Sequence, residues 1–242
     1  MASTRVYKVT GFDKVIFNGV ELNQIPLTLE ECRWDQIQAL TQNGLIGEYY
    51  SVGDKKSIKL STGETMDMML VSINDGTGTY SEYYPANTID FVSCNATSNN
   101  KNFCNWSDYD NTDYTGWAYS NVKEKLNNDI INTIPAEIRD CIKPKRHIYP
   151  IVYRSDGRTV YSIGEDKLWL PTITEINGVA SDHESEYNNK FYSTLKSEYL
   201  SYRTRCTSSV RRLYDAVVRN ISIEEVLNNP LHLPVHIGFR IG

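Results

Sequence analysis

Residues 115–144 read TGWAYSNVKEKLNNDIINTIPAEIRDCIKP, the clearest two-helix pattern in the chain. Tyr119, Val122, Leu126 and Ile130 recur at steps of three and four, which makes one apolar helical face. Asn121 suits the N-cap, and Glu124 follows three residues on, as a capping box requires. Asn127 and Asn128 weaken that helix near its end. A shorter helix follows, with Pro135 near its start, Ile134, Ile138 and Ile142 on one face, and Pro144 as its stop. Gly116-Trp117 in front provides a tight approach and a large anchor for burial. These residues speak of packing, not of chemistry.

On the N-terminal side, residues 1–27 read as small β structure. Val15–Phe17 and Val20–Leu22 flank Asn18-Gly19, the signature of a hairpin with a type I′ turn. Thr28 with Glu31 predicts a helix start, and Asn43-Gly44 its end, so a helix is expected over Leu29–Gln42 with Trp34, Ile37 and Leu40 facing a core. Ser57–Leu60 and Thr65–Ile73 read as two strands. Met66, Met68 and Leu70 alternate against Asp67 and Met69, which predicts one buried face and one mixed face. Residues 74–116 are polar and turn-rich and read as one long irregular region, a kind of segment that is usually functional or mobile. Asp108, Asp110, Asn111 and Asp113 within it offer oxygen ligands of the sort calcium takes. Thr112 and Tyr114 fall where an EF-hand loop wants a ligand and a glycine, so a solvated acidic loop is the better reading.

On the C-terminal side, His147–Tyr153 and Thr159–Ile163 read as a hairpin around residues 155–158. Leu168–Pro171 reads as a short apolar strand. Thr172 caps a helical turn with Glu175 at the boxed position. Residues 181–190 form a charged loop, and 191–223 suit helix and strand equally. The closing segment is the most regular. Leu231, Leu233, Val235, Ile237, Phe239 and Ile241 alternate with His232, Pro234, His236, Gly238 and Arg240, predicting a strand with one core face and one that is not. Pro234 puts its beginning at an edge. This strand is expected to fold back beside the opening strands, so loss of the C-terminus should be damaging.

Composition narrows the function. The formal net charge is -5, so no basic face invites nucleic acid. Cations concentrate at Arg203, Arg205, Arg211, Arg212 and Arg219. The chain has 17 Tyr and is rich in Asn; such side chains serve gripping surfaces, though strands and turns use them equally. Five Cys with no CxxC pair argue against a zinc ribbon or redox motif, and isolated thiols are the simpler reading, with Cys94–Cys104 as the pair that could bridge a loop. No apolar run is long enough to cross a bilayer, and the opening residues lack a signal-peptide pattern. Synthesis in a bacterial cytoplasm is expected, with a virion as the route to an exposed location. Neither GxSxG nor a phosphate-binding glycine loop occurs, and His183-Glu184 is not HExxH. His232 and His236 read as polar positions on a strand. No catalytic residue, metal site or cofactor is expected.

The segments SVGDKKSIKLSTGETMDMMLVSIND (51–75), residues 115–144 and DKLWLPTITEING (166–178) follow, in order, the pattern of an uncharacterised domain family of bacterial surface proteins and phages. Tyr199–Arg203 resembles that family's WLRS strand, and Ile237–Ile241 its terminal GVRPAF strand. The family is similar in turn to the C-type-lectin-like fold of formylglycine-generating enzymes and retroelement variable proteins. The catalytic cysteines of the former have no match here, and Pro85-Ala86-Asn87 does not make the calcium triplet of sugar-binding lectins. The resemblance implies an α+β, C-type-lectin-like architecture: a mixed sheet, two flanking helices, long irregular loops and a small N-terminal β extension. Residues 1–28 would be an attachment segment and 29–242 the lectin-like domain.

The function this implies is recognition: a non-enzymatic phage tail, fibre or head-decoration protein binding a host-surface glycan or protein. Its expected contacts are Tyr187, Tyr192, Tyr199, Tyr202, Arg203 and Arg205, since Tyr stacks on sugar faces and Arg donates to hydroxyls and acids. Expected partners are that host ligand, other virion proteins and further copies of the chain, without membrane insertion. The alternative is a purely structural virion component. A cation-assisted hydrolase using Asp108, Asp110 and Asp113 is the remote one.

Overall fold

In the computed structural model the described residues are 16–17, 20–21, 25–78, 81–94, 114–115, 117–119, 121–153, 155–156, 158–172, 175, 201–207, 213–217 and 237–242. The chain opens with β1 (Ile16–Phe17) and β2 (Val20–Glu21), paired antiparallel across a two-residue connection as the Asn-Gly signal predicts. Helix α1 (Trp34–Gln42) follows, then one turn, α2 (Ile46–Tyr49). Next come β3 (Lys55–Lys59), β4 (Thr65–Asn74), β5 (Thr88–Ser93) and β6 (Tyr114–Thr115). A 3₁₀ turn at Trp117–Tyr119 leads into α3 (Asn121–Asn128), a second 3₁₀ turn at Ile130–Thr133 and α4 (Ala136–Arg139). The remaining strands are β7 (Ile142–Lys143), β8 (Lys145–Tyr153), β9 (Thr159–Asp166), β10 (Leu168–Trp169), β11 (Ser201–Thr207), β12 (Leu213–Val217) and β13 (Gly238–Ile241).

The main sheet has the order β10-β13-β5-β4-β3, with β7 also on β13. A second sheet is β6-β8-β9, and β11-β12 form a separate ribbon. The α+β class holds. The expected mixed sheet does not: every pairing among the described residues is antiparallel.

The closing strand also departs from expectation. β13 lies in the middle of the main sheet, with β5 along one side and β10 and β7 in succession along the other. Both of its sides are taken, so the opening strands cannot pair with it, and β1 and β2 pair with each other. All four of its residues are buried, so it has no outward face of the kind the alternation predicted. Gly238 is required there: a Cβ would sit 2.4 Å from the Trp169 ring. Residues 231–236, including Pro234 and both histidines, lie outside the described residues.

Helix α1 covers one face of the sheet. Trp34 meets Phe91 at 5.5 Å and Phe239 at 5.9 Å between ring centroids, and Ile37 and Leu40 are fully buried beside them. The helix ends as expected. Gly44, at φ 69, takes the left-handed position, and Leu45 N–H to Leu40 C=O and Gly44 N–H to Thr41 C=O complete a Schellman motif. Its start is later than Leu29. The Thr28 hydroxyl does bond Glu31 at 2.9 Å, but the segment forms a turn instead. Lys56 Nζ holds the Glu30 carbonyl at 2.7 Å, and the Glu30 carboxylate takes the Ser57 N–H at 2.7 Å, which ties the turn to β3.

The 115–144 segment is built as anchor, helix and turn. Trp117 and Leu126 are buried, as are Ile134 and Ile138. The second helix is a single turn, because Ile142 is drawn into β7 to satisfy the backbone of Ile241. Asn127 does more than end α3. Its Oδ1 accepts the N–H groups of Lys167 (3.1 Å) and Leu168 (3.0 Å), and its Nδ2 donates to the Leu168 carbonyl at 2.9 Å. In β4, Met69 and Val71 are buried as well as Met66, Met68 and Leu70, so from Met68 to Ser72 both faces are covered. The region read as one long loop contains β5, a central strand.

Candidate functional site

The chain crosses from the main sheet to the second at Pro144, between β7 and β8, and returns at Lys167, between β9 and β10. Lys145 and Asp166 are cross-strand partners at that junction. Around them the fold collects its buried charges. Asp90, on β5, accepts two bonds from Arg240 on β13, Nε to Oδ1 at 2.6 Å and Nη2 to Oδ2 at 2.9 Å, and Arg240 Nη1 donates to the Tyr83 carbonyl at 2.7 Å. Lys145 Nζ lies 2.6 Å from Glu175 Oε1 and 3.8 Å from Asp90 Oδ2. It also sits 3.9 Å from the Trp169 ring centroid and 5.0 Å from that of Tyr84. The Tyr84 hydroxyl reaches Glu175 Oε1 at 3.4 Å. Glu175 is held by its predicted capping box: Thr172 N–H donates to Oε2 (2.8 Å) and Glu175 N–H to the Thr172 hydroxyl (3.0 Å).

Asp90, Lys145, Glu175 and Arg240 are all closed to solvent, with two charges of each sign. Burying an isolated charge is prohibitive, whereas paired and hydrogen-bonded charges survive burial. The cluster therefore joins β5, β8, β13 and the 172–175 turn, and offers no group to a solute. A second group lies beside it. His147 Nδ1 lies 3.1 Å from the Lys145 carbonyl and Nε2 3.1 Å from Asp166 Oδ2. Asp166 also accepts the Trp117 indole N–H at 2.7 Å and faces Lys123 Nζ at 3.3 Å. Burial pushes the Asp166 carboxyl up, but His147, Trp117 and Lys123 together outweigh it and hold it below its ordinary value. Burial raises the thiols of Cys32 and Cys141, the setting of inert cysteines.

Of the six predicted ligand contacts, Tyr187, Tyr192 and Tyr199 lie outside the described residues. The backbone places Tyr202, Arg203 and Arg205 on β11, with Tyr202 opposite Ala216 and Arg203 opposite Asp215 and a register shift beyond it. Strand β11 runs close to β8 and to the Trp117–Tyr119 turn. The structure thus puts three of the six on one strand beside the second sheet. The acidic 108–113 loop and Cys104 fall outside the described residues, and Cys94 is half-buried. No helix among the described residues is long and apolar enough to cross a membrane.

The buried network was missed from sequence. Two signals could have found it: Asp90 between Ile89 and Phe91, and Arg240 between Phe239 and Ile241. A lone charge inside an apolar run needs an opposite charge inside another. Comparison with known proteins gives no matching family model, no matching curated protein and no matching solved structure.

Proposed function

We propose that the protein is a non-enzymatic surface component of a virion, a phage tail, fibre or head-decoration protein whose lectin-like domain binds a host-surface glycan or protein. The observation that carries this reading is the place of residues 176–236 in the chain, between the buried Glu175, which follows β10, and the buried Ile237, which precedes β13; β10 and β13 pair with each other. An insertion pinned at both ends by adjacent strands can vary without disturbing the core, and such segments on a rigid scaffold are where binding residues gather. All six proposed contacts, Tyr187, Tyr192, Tyr199, Tyr202, Arg203 and Arg205, fall inside it. Support for the C-type-lectin-like description is the motif resemblance together with the α+β class, α1 packing on an antiparallel sheet. Support for the virion setting is the motif resemblance.

The test is a bacterial-glycan array with a cell-adsorption assay, using the full chain and its Arg203→Ala and Arg205→Ala variants. Binding by the parent, reduced at least tenfold in a variant with an unchanged thermal melt, is expected. A parent blank in both assays sinks the reading. A second reading, a component that contacts only its own particle, is favoured by the exposed strand β9.

A further inference from the structure

Strand β9 is an open edge among the described residues. Among the described residues β8 lies on one side of it and no strand on the other. The Tyr153 N–H donates to the Arg158 carbonyl at 2.9 Å, which fixes that cross-strand pair as a hydrogen-bonded one. Antiparallel alternation then turns the N–H and C=O groups of 160, 162 and 164 towards β8, and those of 159, 161, 163 and 165 outward. Pro150, opposite Tyr161, has no N–H to give and fits that phase. Tyr161 and Ile163 share one face and are 52% and 49% exposed. Open edges are ordinarily blunted by lysine, proline or a bulge. The open edge of the main sheet, β3, follows that rule with Lys55 and Lys59 exposed. Strand β9 contains neither lysine nor proline, and its register with β8 runs unbroken.

We propose that β9 pairs antiparallel with β9 of a second copy of this chain, about a twofold axis at Ser162. In that register every outward-facing backbone position meets another: 161 opposite 163, and 159 opposite 165. A shift by one residue would set outward groups against inward ones. Tyr161 and Ile163 of the two copies form one apolar strip, with Ile148 opposite Ile163 on β8. The inference does not rest on the ligand-binding reading.

The test uses the full chain, by sedimentation and by cysteine crosslinking. At micromolar concentration the parent sediments at twice the 27.7 kDa of one chain. Ile163→Lys sediments at the single mass, with its thermal melt unchanged. Position 162 faces itself as a non-hydrogen-bonded pair, within disulfide reach. On mild oxidation Ser162→Cys therefore yields a peptide joining 162 to 162, and Val160→Cys yields none joining 160 to 160. The proposal is overturned by a parent that stays at the single mass, by a dimer that a folded Ile163→Lys leaves intact, or by crosslinking at 160 but not at 162. If Ile163→Lys fails to fold, the crosslinking pattern decides alone.

Discussion

The two sheets share a base and differ everywhere else. At the base, Lys145, His147 and Asp166 are buried, and they belong to the same β8–β9 ribbon whose outer half exposes Tyr161 and Ile163. The main sheet has both faces of its central strands covered and its ion pairs locked between β5, β8 and β13. The difference teaches that burial is greatest at the junction and declines outward along the ribbon. Packing on both faces fixes the main sheet, while among the described residues the far end of the second sheet is held by β6 at Val152 and Tyr153 and leaves Tyr161 exposed.

The comparison breaks most completely if the junction loses a charge. Arg240→Met leaves Asp90 buried with its two guanidinium bonds gone. Removing one partner of a buried pair costs about 3–5 kcal/mol, so chemical denaturation should show a loss of that size. The double variant Asp90→Leu/Arg240→Met should recover much of it, because a well-packed apolar pair often replaces a buried ion pair at little cost. A double variant no better than the single would show that shape, not charge, holds the strands.

A smaller effect is expected where α3 meets β10. Asn127→Ala strands the N–H of buried Leu168, while that of exposed Lys167 can turn to water, and an unsatisfied buried donor costs about 1–3 kcal/mol. The urea midpoint should fall accordingly, with the slope unchanged.

The smallest effect is one of pH. The Asp166 carboxyl is held below its ordinary value in the fold, so it binds protons more readily when unfolded. Its contribution is present in full above the unfolded value of about 3.9, and is lost as pH falls through the lower folded value. Asp166→Asn should therefore melt lower than the parent near neutrality, with the gap narrowing in strong acid. A gap constant with pH would remove the electrostatic account.

The sequence made the apolar periodicities plain and hid the charges. The end of α1 at Asn43-Gly44, the Ser57–Leu60 and Thr65–Ile73 strands, the hairpin around residues 155–158 and the Thr172–Glu175 box all stand as read, because each depends on neighbours in the chain. The failures depend on distant partners. Strand β5 looked like part of a loop because Asp90 interrupts its apolar run, and only Arg240, at the other end of the sequence, makes that carboxylate tolerable. Ile142 kept helical spacing with Ile138, yet joins a strand because Ile241 needs a backbone partner. Asn127 read as a weak helix residue and is the clamp on β10.

Native-state hydrogen exchange tests the central claim most directly, comparing amides of β13 and β5 with those of the ribbon's far end, 151–153, 158 and 160. The account predicts that Phe239, Arg240 and the facing β5 amides exchange only through global unfolding, while the far-end amides exchange much faster through local opening. Equal protection at both places, or faster exchange in β13, would contradict it.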